Sequence, residues 1–191
     1  MSKESVKKWL SSCLIILVLS LCFFSSGIIR NDDIIGRQIE CDSLLLVKGN
    51  RVDMVLIDTL LHDYSIILWI DSSKCAACEM EHLLGFESFY DVCREIMGDR
   101  GDFKVIISPK DDTGLIVNDI MFQDYPFDVL VDFRYKMSSV LNCNQRLLLV
   151  TKDGLVSKYY RLENRESDTR KLKDCLDYLA QMYNDSGWYY E

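Results

Sequence analysis

Ile66-Ile67-Leu68-Trp69-Ile70-Asp71-Ser72-Ser73-Lys74-Cys75-Ala76-Ala77-Cys78 is the stretch on which the reading of this chain turns. Ile66 to Ile70 is apolar without a break, as strands buried on both faces are. Asp71 to Lys74 is a polar turn, and an amphipathic segment opens at the cysteines. The order is therefore buried strand, short loop, then two thiols in the first turn of a helix. Residues three apart on a helix share a face. Cys75 and Cys78 can thus close and reopen a disulfide, the basis of dithiol redox chemistry.

Working outward, the helix is expected from Ala76 to about Met97. Ala76, Met80, Leu83, Phe86, Tyr90, Cys93 and Met97 recur at helical spacing and define its apolar face. Gly85 inside it is a place to bend, and Gly98 and Gly101 end it. Upstream, Ser43 to Val47 and Val52 to Ile57 read as a hairpin about Gly49-Asn50, and Tyr64 to Ile70 as the central strand. Downstream, Phe103 to Ser108 and Phe127 to Val131 read as strands and Thr113 to Phe122 as a helix, with Asp111-Asp112 at its start. Arg134 to Leu141 reads as a short helix. Leu147 to Thr151 and Leu155 to Tyr160 flank Lys152-Asp153-Gly154, and Asp-Gly meets the backbone demands of a tight hairpin turn. Asp168 to Tyr183 reads as a last helix, with Leu172, Cys175, Leu176, Leu179 and Tyr183 along its apolar side. Strands alternating with helices, closed by a hairpin and a helix, predict an α/β fold: a mixed central sheet with helices on both faces.

The N-terminus reads differently. Lys3, Lys7 and Lys8 precede an apolar stretch from Trp9 to Ile29, and Asp32 and Asp33 follow it. Basic before and acidic after suits an inward N-terminus with the remainder exported. Leu10 to Ile29 is near the ~20 residues that span a bilayer, so a signal-anchor through residues 9–29 is expected. Cleavage near Ser25-Ser26-Gly27 and lipidation at Cys22 are the alternatives. The expected organisation is a signal-anchor or signal peptide over 1–30 and a linker with an N-terminal hairpin over 31–62. A redox domain follows over 63–185, with a tail over 186–191. The expected location is the cell envelope, with the domain outside the cytoplasm, tethered or released into a periplasm.

The formal net charge of −8 and the lack of any basic stripe exclude a phosphate-reading surface, so no nucleic acid is expected. Of the eight cysteines, Cys13 and Cys22 fall in the N-terminal segment, while Cys41, Cys93, Cys143 and Cys175 are scattered singly. Only Cys75 and Cys78 form a close pair, which is not the pattern of a disulfide scaffold.

With these residues in view, the chain resembles thioredoxin-fold proteins over about Tyr64 to Met182. The cysteine pair after a buried strand is one half of the match. The other is Leu147-Leu148-Leu149-Val150-Thr151-Lys152-Asp153-Gly154-Leu155-Val156, which is similar to the hairpin of TlpA/ResA-like extracytoplasmic thioredoxins. Asp71-Ser72-Ser73-Lys74-Cys75 also resembles the Asp-Ser-x-x-Cys stretch of small thioredoxin-like envelope proteins of Bacteroidetes. The resemblance implies a membrane-tethered thiol–disulfide oxidoreductase, more often reductive. It needs no organic cofactor, and its partners are protein thiols and disulfides of the envelope, with a membrane electron donor behind it. Four positions depart from the family. Lys74 stands where Trp is usual, and Ala76-Ala77 stands between the cysteines. Trp69 replaces a buried proton-shuttling Asp. Gln145 falls near the usual cis-proline, so Gln145 and Arg146 are expected in an ordinary trans loop.

In this reading Cys75 attacks and Cys78 resolves. A helix N-terminus and Lys74 favour the Cys75 thiolate, while Glu79 and Glu81 oppose it. Two other readings compete. A Cu(I) or Zn carrier would use Cys75, Cys78 and His82, although His82 is roughly 10 Å along the axis from Cys75, and His62 is upstream in a loop. A thioredoxin-fold binding module without catalysis would explain the missing proline and the missing Asp. Cys93 and Cys175 are most simply core residues, and Cys143 is a spare thiol near the hairpin entry.

Overall fold

Each strong apolar run becomes a strand, and the polar punctuation between them becomes turns. The computed structural model describes residues 34–39, 43–72, 83–110, 113–137, 146–163 and 165–185. The strands are β1 (Leu44–Lys48), β2 (Arg51–Val55), β3 (Tyr64–Ser72), β4 (Gly101–Pro109), β5 (Asp128–Val131), β6 (Arg146–Lys152) and β7 (Leu155–Leu162). The helices among the described residues are α1 (Glu87–Met97), α2 (Thr113–Phe122) and α3 (Arg165–Asp185). Short 3-10 turns occupy Ile57–Thr59, Leu84–Phe86 and Gly98–Arg100.

The seven strands form one sheet in the order β2-β1-β5-β4-β3-β6-β7. β3 is parallel to β4, and β4 to β5; the remaining pairings are antiparallel. The N-terminal hairpin belongs to this sheet, because β1 pairs with β5 through Leu45–Val131, Leu46–Leu130 and Val47–Val129. The β6–β7 hairpin turns at Asp153 and Gly154, both at positive φ (52° and 78°), as a tight two-residue turn demands.

Alternation along β3 divides the core. Ile66, Leu68 and Ile70 face one apolar cluster, while Ile67 and Trp69 face another. The first cluster takes in residues of α1, α2 and α3: Phe89, Cys93, Met97, Ile116, Ile120, Cys175 and Leu179. Edge-on contacts of Phe89, Tyr90, Phe103 and Phe127 tie α1 to β4 and the entry to β5. Burying one such ring contributes about 1.5–3 kcal/mol. On the other face the described cover is not a long helix. Ile34 and Ile39, the Ile57–Leu61 turn and Met137 pack there. The Ile34–Ile39 segment is stitched to β7 by Gly36 N–H to Val156 O at 2.8 Å and Val156 N–H to Arg37 O at 2.9 Å.

Sequence and structure differ at several boundaries. The helix expected to run unbroken to Met97 tightens into a 3-10 turn at Leu84–Phe86, around Gly85, before α1 begins. β3 continues two residues past Ile70, so Asp71 and Ser72 are strand rather than turn. Arg146 opens β6 instead of lying in a loop, because Ile70 and Leu162 pair with it from both sides. Among the described residues no helix is long and apolar enough to cross a membrane. The apolar stretch over 9–29 lies outside the described residues, as does the tail over 186–191.

Candidate functional site

In an open sheet the crevice at the carboxyl ends of parallel strands is where function concentrates. Here three such ends lie side by side, β3, β4 and β5, and each has a polar residue within one position of its last. Asp71 is next to last on β3, Ser108 next to last on β4, and Asp132 directly follows β5. Asp71 and Ser108 are register partners. All three are buried, Asp71 at 7 % exposure and the other two at 0 %.

Burial obliges these groups to find partners. The Trp69 indole N–H donates to Ser108 Oγ at 2.9 Å, and the Ser108 hydroxyl donates to Asp132 Oδ2 at 3.0 Å. Asp132 also accepts the backbone N–H groups of Lys136 at 3.1 Å and Met137 at 2.7 Å. Its carboxylate thereby caps the turn that follows β5. Within that turn Tyr135 is held at φ 56°, a conformation that costs a bulky residue about 1–3 kcal/mol. Its hydroxyl donates to Asp71 Oδ1 at 2.7 Å. The other oxygen, Asp71 Oδ2, is buried with no hydrogen-bond partner. The site therefore offers one anchored carboxylate with a vacant acceptor, on the residue four before Cys75.

Of the expected site residues, Lys74, Cys75, Ala76, Ala77, Cys78, His82 and Gln145 lie outside the described residues, as do Cys41 and Cys143. Arg146 is described. It sits beside Ile70 near the carboxyl end of β3, and its guanidinium Nη2 is 3.9 Å from Asp168 Oδ2 at the start of α3. The buried acid that the family resemblance looks for six residues before Cys75 is indeed absent, since Trp69 is there. Two residues further on, on the same face of β3, Asp71 is buried instead. The sequence signal was available: a lone carboxylate closing an apolar run, in phase with Ile67 and Trp69.

The opposite end of β3 looks different. A cavity of about 510 Å³ opens there, bordered by Asp58, His62, Asp63, Asp99, Arg100 and Asp153 among others. His62 Nε2 lies 3.8 Å from Asp102 Oδ2, and the imidazole is half exposed. At ~3.3 Å per residue, β3 sets Tyr64 about 26 Å from Ser72, so His62 lies at the far end of the strand. No cluster of metal-binding side chains occurs among the described residues.

Cys93 on α1 and Cys175 on α3 are fully buried free thiols. Burial, reinforced by Cys175, pushes the Cys93 thiol far up, and burial lifts Cys175 to about 12 against the opposing pull of Lys158. Neither forms a thiolate near neutral pH, so both are core residues rather than reactive ones.

No protein-family model matches this chain, and no curated relative matches it in sequence. Solved structures do match. One is a reduced 2-Cys peroxiredoxin of Plasmodium vivax, with a TM-score of 0.58 and 11 % identity, over 81 % of this chain and 84 % of that one. Another is AhpC of Enterococcus faecalis, with 0.56 and 14 %, over 78 % and 95 %. A third is peroxiredoxin Q of Xanthomonas campestris, with 0.55 and 14 %, over 79 % and 99 %. At these identities the likeness is one of fold, and the fold is thioredoxin-like.

Proposed function

We propose that this chain is a thiol–disulfide oxidoreductase that exchanges disulfides with partner proteins through Cys75 and Cys78. The observation that carries the reading is Asp71. A thioredoxin-like sheet ends β3 on a buried carboxylate with a vacant oxygen, and the cysteine pair follows directly in the chain. Three residues of extended chain reach at most about 11 Å, so Cys75 stays within that distance of Ser72.

The exchange balances as follows. The Cys75 thiolate attacks one sulfur of a partner disulfide, forming a mixed disulfide and releasing the partner's other sulfur as thiolate. Cys78 loses its proton and attacks the Cys75 sulfur. The products are a Cys75–Cys78 disulfide and a partner reduced by two electrons. Asp71 Oδ2 is the acceptor for the Cys78 proton. Another thiol protein then restores the dithiol. The TlpA/ResA-like hairpin favours this reductive direction, and the basic–apolar–acidic N-terminus favours an envelope protein tethered through residues 9–29.

Trapping tests the roles. Cys78→Ser should accumulate the mixed disulfide with a partner, and Cys75→Ser should trap nothing. Equal trapping by the two variants would remove the assignment.

The fold comparisons favour a second reading, because the similar structures are peroxiredoxins. In that reading the Cys75 thiolate attacks a peroxide O–O bond, giving a Cys75 sulfenic acid and an alcohol or water. Cys78 then condenses with it, releasing water and forming the same disulfide. One disulfide formed per hydrogen peroxide consumed, faster than glutathione disulfide oxidises the pair, would select it.

A further inference from the structure

The two edges of the sheet are treated differently. β7 is covered: the Ile34–Ile39 segment bonds to Val156 and bridges to Leu155. Among the described residues β2, at the other edge, has no strand on its outer side. It contains no proline and no lysine, its pairing with β1 runs without a bulge, and its charges are one of each sign, Arg51 and Asp53. Val52 and Met54 are exposed at 41 % and 65 %, and Leu56, next in the same alternation, at 54 %. A bare edge with an apolar row is a template for another strand.

The hairpin fixes which backbone groups are available. Lys48 opposite Arg51 closes a two-residue turn at Gly49-Asn50, so that pair is hydrogen-bonded. Arg51, Asp53 and Val55 therefore point their N–H and C=O groups at β1, while Val52 and Met54 point theirs outward. An antiparallel partner can dock in three registers that use those groups and centre on this strand, at Asp53, Val52 or Met54. Centred on Asp53, it sets Asp53 against its own copy in a close, non-hydrogen-bonded pair. Centred on Val52, it makes Val52 its own hydrogen-bonded partner and sets Arg51 opposite Asp53 twice, once on each side of the axis. Centred on Met54, it sets Asp53 opposite Val55 and pairs neither charge. Opposite charges facing across strands stabilise and like charges destabilise, so the charge pattern selects the register centred on Val52. A strand whose charges complement their own reverse is fitted to a copy of itself.

We infer that β2 is a homodimerisation edge, pairing antiparallel with β2 of a second copy across a two-fold axis at Val52. Pairing so short a strand buries less than the ~800 Å² per partner of a standard interface. The dimer is accordingly weak and concentration-dependent.

Sedimentation of the full chain in detergent, with a thiol reductant present, tests this. The wild type should pass from monomer to dimer across the micromolar range, about 1–100 μM. Arg51→Asp and Asp53→Arg should each weaken the dimer by about tenfold or more, and the double variant should recover to within about threefold of wild type. A wild type that stays monomeric overturns the inference. So does a dimer indifferent to both single reversals, which would place the contact elsewhere in the chain. Single losses without recovery in the double variant overturn it too. The exposed edge positions carry no core packing, and circular dichroism of each variant confirms that the fold is retained.

Discussion

The two ends of β3 make an instructive pair. At its start lies an opening of about 510 Å³ bordered by carboxylates. Its His62 is half exposed and 3.8 Å from Asp102 Oδ2. At its end Trp69, Asp71, Ser108 and Asp132 are buried and, with the half-buried Tyr135, held by bonds of 2.7 to 3.0 Å. Volume records where the surface happens to dip. A buried polar network records where the fold has accepted a desolvation cost, and there one orphaned oxygen has chemical consequence.

The largest expected contrast is in stability. Asp132→Ala removes the acceptor of the Ser108 hydroxyl and of two backbone N–H groups, and should lower unfolding free energy by about 3 kcal/mol in urea titration. The same substitution at Asp99 at the far end should change it by less than about 0.5 kcal/mol. Equal losses at both ends would erase the distinction.

Next is the rate of exchange. Asp71→Asn keeps the shape of the side chain but removes its proton acceptor. Resolution of the mixed disulfide at neutral pH should slow by about tenfold to a hundredfold. His62→Gln, at the other end, should leave that rate unchanged. An undisturbed rate in Asp71→Asn would confine Asp71 to a structural role.

A smaller effect comes from the apolar middle. The folded Cys175 thiol is raised to about 12 from the ordinary 9.0, with burial the leading cause. Above pH 9 the unfolded chain loses this proton and the folded chain keeps it. The folded state then binds more protons, so stability falls as pH rises through that window. Cys175 should contribute about 1 kcal/mol to the loss between roughly pH 8 and pH 10, and Cys175→Ala should flatten the curve by that amount. An unaltered slope would mean that the thiol is less sealed than its packing indicates.

Legibility followed the range of the interactions. α2 is found at Thr113–Phe122 as the helical spacing predicts, and the Asp153-Gly154 turn lies where tight-turn chemistry puts it. The alternation of strands and helices from β3 onward was readable for the same reason, since periodicity is a local property. The network at the carboxyl ends was not. Trp69 and Ser108 are 39 residues apart, and Ser108 and Asp132 are 24 apart, so only the parallel register brings them together. Asp71 was misread because polarity after an apolar run suggests a turn. A strand can carry a carboxylate at its last buried position when a tyrosine reaches it from another element. Arg146 was misread because the loop-like residues before it hid the pairing on both its flanks. The cover of the second face by Ile34–Ile39 had no periodic signal, being held by individual backbone bonds to β7.

The most direct test is equilibration of the full chain in glutathione buffers of graded potential, followed by differential alkylation and peptide mapping of every thiol. A reversible two-electron transition confined to Cys75 and Cys78, with Cys93 and Cys175 unmodified in the folded state, is the predicted result. A Cys75 and Cys78 that never pair with each other across that range would contradict the account.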